Sequence, residues 1–431
     1  MNIYNDWGFD ESPFNTGALQ PNESGSTLLV GREKEITQIL RRLFNPPASV
    51  TVEGLNGVGK TSLVNVALYQ SYLDFFNGKT RTLFIPCGKT FQLTAETGLE
   101  EFVSSVYIEV AQTLIRRSEE LKNLGYSLPD NSISIDKWLN SPHISTWQAT
   151  LGPIGAGRNT ETNTSDGFKD SGLRVRIDGW LKEIFPTEEH GAVVCIIDNL
   201  ELLETSEQAR RQLERLRDEI LNLSGIRWVF CGSLGIIKSV ASTPRLEGYL
   251  HNPIEILSVE RKYIRELFEK RIHFYSRESE SQGYLPMTSS DIDFLYEVLN
   301  ENLRNTIHYC DQYSLYTVDN GINPSSDSEK TKYFFEWLQN ESNSIMTSIE
   351  GQLRPRSLKL FQDVISYGGV FSPSDFEQFN FNSIPALRPQ VLELERVALL
   401  SSTIDETDNR RKTIQVTPKG WLASYALKQK N

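Results

Sequence analysis

Cysteine is scarce. Cys87, Cys195, Cys231 and Cys310 lie far apart in 431 residues, none in a CxxC pair, and most sit in apolar stretches. That excludes a disulfide framework and points to buried free thiols in a reducing cytoplasm. The five histidines show no zinc-ligand spacing, so metal catalysis through His or Cys is excluded. Long apolar runs are missing too. The best uncharged stretch, Trp228–Ile237, has ten residues, where a membrane-spanning helix needs about 18. The start, Met1-Asn2-Ile3-Tyr4-Asn5-Asp6, lacks the basic residues and apolar run of a signal peptide. Positive charge is in deficit: 44 Lys and Arg against 56 Asp and Glu, a net −12. Such a chain does not coat nucleic acid non-specifically. Residues 351–431 reverse the balance with eleven basic and eight acidic residues, so any nucleic acid is expected there. What is present is globular, 39% hydrophobic and 23% charged, and the length suits two to four domains.

Residues 1–28, rich in Asn, Ser, Gly and Pro, read as an irregular arm. Ile36, Ile39, Leu40 and Leu43 predict a helix over Glu33–Phe44, stopped by Pro46-Pro47. Ser49–Val52, Thr82–Pro86, Ala192–Ile197 and Arg227–Cys231 are short apolar runs without polar alternation, and Pro253–Leu257 is a fifth. They predict buried parallel strands alternating with helices, an α/β core. Tyr126–Gly172, rich in Ser, Asn and Gly, interrupts that rhythm as an insertion. Its Gly152–Arg158 stretch follows no strand, so it reads as a loop that contacts a partner or DNA. From about Glu260 the pattern is helical only, over Arg261–Ser276 and Ser290–Val318.

The sharpest signal is Gly54-Leu55-Asn56-Gly57-Val58-Gly59-Lys60-Thr61, a full GxxxxGK[ST] match followed by Ser62. A buried strand enters it and a helix, Lys60–Phe75, leaves it, the context that gives the motif meaning. Glycines let the backbone wrap phosphate with its N–H groups inward, and the helix start adds partial positive charge. Lys60 is then placed to reach the β/γ-phosphates of ATP, and the Thr61 hydroxyl to complete a Mg²⁺ shell. The apolar strand Ala192–Ile197 ends in Asp198, the Walker B position, where the carboxylate orders Mg²⁺ and its water. Many such ATPases carry Glu next; here it is Asn199. Glu201 either reaches inward or is a solvated helix-start residue, so slow or assembly-triggered hydrolysis is expected.

In this order the motifs resemble AAA+ ATPases of the origin-recognition and STAND-like branch, over about residues 28–320. Val30-Gly31-Arg32-Glu33 is similar to the VGRE box, which the resemblance places near adenine, so Gly31 and Arg32 join the nucleotide site. Phe230-Cys231-Gly232-Ser233 resembles the sensor 1 strand end, implying that Ser233 senses the γ-phosphate. Glu301-Asn302-Leu303-Arg304 resembles the sensor 2 motif of a helical lid, implying a γ-phosphate contact for Arg304. Arg245, in a proline-stiffened loop, is the candidate to act on a neighbouring subunit's ATP.

Residues 357–431 read as a winged helix: helices at Ser357–Tyr367, from Ser372, and over about Ile384–Arg396. Val397–Leu400 and Thr413–Thr417 form a wing around a turn holding Arg410, Arg411 and Lys412. In such a fold Arg388 and Gln390 on the third helix would face bases and the wing cluster would face phosphates. Winged helices also mediate protein contacts, and the nearby acids weigh against tight DNA binding.

The fold class expected is thus α/β: a P-loop AAA+/STAND-like parallel-sheet domain with helical lid and winged helix. Its parts are an arm at 1–28, core at 29–257 with the insertion at about 126–172, lid at 258–320, linker and helix at 321–350, and winged helix at 351–431. Two functions compete. One is an ATP-binding and ATP-hydrolysing switch that self-associates with nucleotide and contacts double-stranded DNA, as machines of replication, transposition and antiphage defence do. The other is a STAND-like slow ATPase that assembles a signalling or defence complex through protein contacts, with a separate effector protein. Neither involves a membrane.

Overall fold

The computed structural model describes residues 2–94, 96–126, 143–146, 159–162, 173–203, 206–235, 237, 245–277, 283–402 and 413–430. The chain opens with α1 (Ile3–Asp6), α2 (Glu23–Leu28) and α3 (Glu33–Leu43). Strand β1 (Val50–Gly54) leads through the glycine loop into α4 (Lys60–Phe76), followed by β2 (Leu83–Gln92), α5 (Leu99–Arg116) and α6 (Ser118–Asn123). In the insertion, β3 (His143–Thr146) and β4 (Asn159–Thr162) pair antiparallel; residues 152–158 lie outside the described residues. The core resumes with α7 (Leu173–Ile184), β5 (Gly191–Asp198), α8 (Ser206–Leu216), β6 (Ile226–Gly232) and β7 (Ile254–Ile256).

The five core strands, each within one of the expected runs or overlapping it, form a parallel sheet in the order β2-β5-β6-β1-β7. Side chains alternate across it. Val194 and Ile196 of β5 pack with Leu63 and Val64 of α4, while Val193, Cys195 and Ile197 join Phe102 of α5 and Trp180 of α7. With both faces covered, every residue of β5 is buried, which is why the run shows no polar alternation. The strand ends align Gly54 and Asp198 at one edge of the sheet, where ligands of open parallel sheets bind. All four cysteines are buried and none is in a disulfide. Among the described residues no helix is long and apolar enough to cross a membrane.

A helical lid follows: α9 (Ile264–Tyr275), α10 (Ser289–Val298) and α11 (Leu303–Asp319). The sequence predicts one helix over Ser290–Val318; the structure breaks it in two. Asn300 and Glu301 take φ of 53° and 58°, left-handed values that no helix continues through. Asn302 then caps α11, its Oδ1 accepting from Asn305 N at 3.1 Å. The arm also differs from expectation. Tyr4, Phe9 and Phe14 are buried with Phe268, Ile272 and Tyr313 of the lid. Three isolated aromatics have no period, so pattern reading passes over them.

The long α12 (Asp327–Ile349) leads to α13 (Pro355–Ser366), β8 (Val370–Phe371), a 3-10 helix at Pro373–Phe379, α14 (Ile384–Arg396), β9 (Leu400–Ser402), β10 (Ile414–Val416) and α15 (Pro418–Lys430). The three strands form an antiparallel sheet, β8-β10-β9. Helices fall where the sequence places them; the two-residue β8 had no signal. Arg410, Arg411 and Lys412 lie outside the described residues. Phe294 of α10 packs on Phe335 of α12 at 4.9 Å between ring centroids and on Tyr425 of α15 at 5.9 Å. One apolar cluster thereby joins arm, lid and C-terminal unit.

Candidate nucleotide site

The loop between β1 and α4 turns on two glycines. Gly57 and Gly59 have φ of 88° and 93°, a region that favours glycine. Around Gly59 there is open space, so the backbone angle alone demands glycine; a Cβ at Gly57 would stand 2.6 Å from Asn302 Oδ1. Lys60 opens α4 and is buried. Its Nζ donates to Gly54 O at 2.9 Å and Leu55 O at 3.2 Å, which holds the ammonium inside the loop.

Thr61 Oγ1 donates to Asp198 Oδ2 at 2.5 Å. The other carboxylate oxygen accepts from Asn199 N at 2.9 Å, and Asn199 itself takes a φ of 57°. A hydroxyl and a carboxylate so placed are hard oxygen donors of the kind Mg²⁺ prefers. Among the described residues no group of three His, Cys, Asp or Glu converges on one point. The donor set therefore fits an ion that takes most of its ligands from phosphate and water. Bound there, Mg²⁺ would screen phosphate charge.

Arg32 is buried and braces the loop from below. Its Nη2 donates to Val58 O at 3.1 Å and Leu257 O at 2.8 Å, and its Nη1 to Glu35 at 3.0 Å. These bonds tie α3, the loop and the end of β7 together, so the guanidinium is spent on backbone. Gly31, with φ of 69°, sits under Tyr263, whose ring a Cβ would meet at 2.4 Å. Both residues belong to the same corner; Arg32 and Val30 line the cleft.

The lid closes the other side. Arg304 is exposed toward the cleft, and its N–H donates to Gly57 O at 3.4 Å. Asn302 Nδ2 donates to Asn56 O at 2.8 Å. Leu267, Leu303 and Ile307 add an apolar wall, as Leu28 and Leu29 do from the arm side. Such a wall suits the flat face of a base.

Nothing in the residue pattern of the arm signals that it reaches this cleft. Asn15–Leu19 line it. Leu19 N donates to Ser62 Oγ at 3.0 Å, and Asn65 Nδ2 to Leu19 O at 2.8 Å. Ser62 thus serves the arm. On the lid, the buried Arg271 donates through Nε to Pro13 O at 2.8 Å and through Nη2 to Asn15 O at 2.7 Å. Burial lowers its pKa. A second surprise is Glu53, buried within β1 one residue before the loop, in register with Gly232 and Glu255. A charge inside an apolar strand was its only signal.

The remaining candidates lie at different removes. Ser233 directly follows β6 and is half-buried. Glu201 is within the 3-10 turn Leu200–Leu203, its side chain outside the described residues. Arg245 is exposed; its Nη1 pairs with Glu214 at 3.6 Å, and its carbonyl accepts from Arg217 at 2.5 Å. On α14, Arg388 is exposed. The Gln390 amide turns back onto its own helix, beside the carbonyls of Ala386 and Leu387. Two of the acids nearby are also engaged: Glu393 accepts from Ser357 Oγ and Arg354 N, and Glu395 from Ser402 Oγ.

No family model matches this chain, and no curated protein does. Among solved structures it resembles origin-recognition AAA+ proteins of archaea. It is similar to the Aeropyrum pernix ORC1 protein, solved in complex with DNA, at 12% identity over 94% of this chain and 96% of that one, with a TM-score of 0.42. The Aeropyrum pernix ORC2 protein, solved as ADPNP-ADP complexes, is 11% identical over 98% and 99%, with a TM-score of 0.44. CDC6P from Pyrobaculum aerophilum is 13% identical over 98% of each chain, with a TM-score of 0.40.

Proposed function

We propose that this chain is an AAA+-type nucleotide switch that binds ATP with Mg²⁺, hydrolyses it slowly, and self-associates in the nucleotide-bound form. The observation that supports this most is the convergence of the glycine loop, the Thr61–Asp198 pair and Arg304 on one cleft. Loop N–H groups and Lys60 hold the β/γ-phosphates, and Asp198 orients water at the ion's edge. Gly31 and the apolar wall take the base. Arg304 and Ser233 report on the γ-phosphate from the lid and the sheet. Asn199 leaves the position after Asp198 without a carboxylate, so turnover waits on a partner. Arg245 is exposed, and its side chain is held by one ion pair, 3.6 Å long, to the half-buried Glu214. It is free to swing to a neighbouring protomer.

The C-terminal unit is assigned to double-stranded DNA, with Arg388 on α14 and Arg410, Arg411 and Lys412 on the wing as contacts. Engagement of Glu393 and Glu395 within the unit supports this reading. A second reading has its own observation: Leu392, beside Arg388 on α14, is 48% exposed. An apolar side chain there suits a protein partner, as in a STAND-like assembly with a separate effector. Salt-titrated binding to duplex DNA in ATP separates the two. For DNA contact, replacing Arg410, Arg411 and Lys412 by Ala flattens the slope of log affinity against log salt by up to about 2.7. No binding at low salt removes the DNA reading and leaves the protein-contact switch. No ATP binding by the wild type removes both.

A further inference from the structure

Asn302 makes two bonds with the two ends of one amide. Its Oδ1 accepts from Asn305 N at 3.1 Å, capping α11. Its Nδ2 donates to Asn56 O at 2.8 Å, in the phosphate loop. Capping explains only the first, since Ser and Asp cap as well as Asn. An amide carries its acceptor and its donor on separate atoms, so one short side chain can span helix and loop, whereas a hydroxyl offers both from a single oxygen closer to the backbone. The fit is close from both sides. A Cβ at Gly57 would lie 2.6 Å from Asn302 Oδ1, 3.2 Å from its Nδ2 and 3.0 Å from Arg304 Cβ. Arg304 N also donates to Gly57 O, at 3.4 Å. The left-handed pair Asn300 and Glu301 sets the start of α11 against the loop.

We infer that Asn302 is a positioning residue that latches the lid onto the phosphate loop and fixes the orientation of the Asn56–Gly57 peptide. The neighbouring N–H groups are those that would cradle phosphate, so the latch presets the loop before nucleotide arrives. It rests on the nucleotide reading above only for its consequence. By linkage, whatever strengthens the latch strengthens phosphate binding, and phosphate binding in turn holds the lid. Sensing through Arg304 is then secondary to a contact that needs no ligand.

The test uses the full chain with Asn302→Asp and Asn302→Ser. Both keep the cap. The Asp carboxylate faces Asn56 O without a donor, and Ser is too short to reach it. Hydrogen exchange of nucleotide-free protein is followed over residues 55–60 and 303–307, beside the affinities for ATP and ADP. The latch requires faster loop exchange in both variants, with the melting temperature kept. It also requires roughly three- to tenfold weaker nucleotide binding, the loss of one net hydrogen bond, and the greater loss for Asp. Wild-type exchange in both variants overturns the latch. If Asn302→Asp does not fold, Asn302→Ser alone decides. Absence of nucleotide binding by the wild type overturns the proposed function, while the exchange comparison still judges the latch.

Discussion

Thr61 and Asp198 share a 2.5 Å hydrogen bond although β6 lies between the strands that carry their motifs. The loop overhangs the intervening strand and brings the first turn of α4 to the end of β5. Asp198→Asn preserves an acceptor for Thr61 but removes the charge. The variant should fold and retain nucleotide, while Mg²⁺-dependent phosphate release falls to background. Release assays with and without Mg²⁺ check this; normal turnover would take Asp198 out of the metal site.

Lys60→Ala should weaken ATP binding or turnover at least about tenfold, roughly 1.4 kcal/mol, because the backbone cradle survives without its charge. Arg245→Ala should bind ATP nearly as the wild type does yet turn it over more slowly. Mixing the two variants should restore part of the activity, one protomer supplying the arginine and the other the site. Absence of recovery, with a monomer in ATP by light scattering, argues against assembly-coupled hydrolysis.

Arg32→Met should act through stability. It strips donors from the carbonyls of Val58 and Leu257 and leaves Glu35 without its cation. A buried acceptor without a donor costs about 1–3 kcal/mol, and Val58 O is that acceptor, since Leu257 is exposed, so the unfolding free energy from a denaturant titration should fall by about 2 kcal/mol. An unchanged value would show that the brace is dispensable.

Arg271→Met should free the arm. Pro13 O and Asn15 O lose their donors, which leaves the segment lining the cleft its hydrogen bonds at Leu19 and the packing of Phe14 on Phe268. Limited proteolysis should then cut within residues 10–22, and ATP should protect less than in the wild type. Arg271→Lys, with fewer directed donors, should be intermediate.

Glu393 ties α14 to the start of α13 through Ser357 Oγ and Arg354 N, and these bonds hold its pKa below the ordinary 4.5. A carboxylate depressed by folding contributes fully above its unfolded pKa, and the contribution disappears as pH falls through the folded value. Acid should therefore loosen the C-terminal unit below about pH 4.5 more in the wild type than in Glu393→Gln. Parallel melting curves from pH 7 to 3 measure the difference; identical acid limbs would remove Glu393 from the acid response.

Much of this was legible. Five strands stood out because both faces of the sheet are covered, and the phosphate loop because its angles admit only glycine at Gly59. Asp198 followed from the apolar strand that ends in it. What stayed hidden depends on long-range pairing. Arg32 finds Leu257 O across 225 positions, and no local spacing announces that. The break at Asn300 and Glu301 hides under an apolar period that continues through it. Phe9 looks like a loop aromatic until Gly283 leaves room for its ring.

The aromatic seam of Phe294, Phe335 and Tyr425 bears on how movement is shared out. It packs the lid and the C-terminal unit together, with the arm's Tyr4, Phe9 and Phe14 in the same apolar cluster. A tilt of the start of α11 over the glycine loop would therefore carry α14 with it, so that the cleft and whatever α14 touches would share one motion.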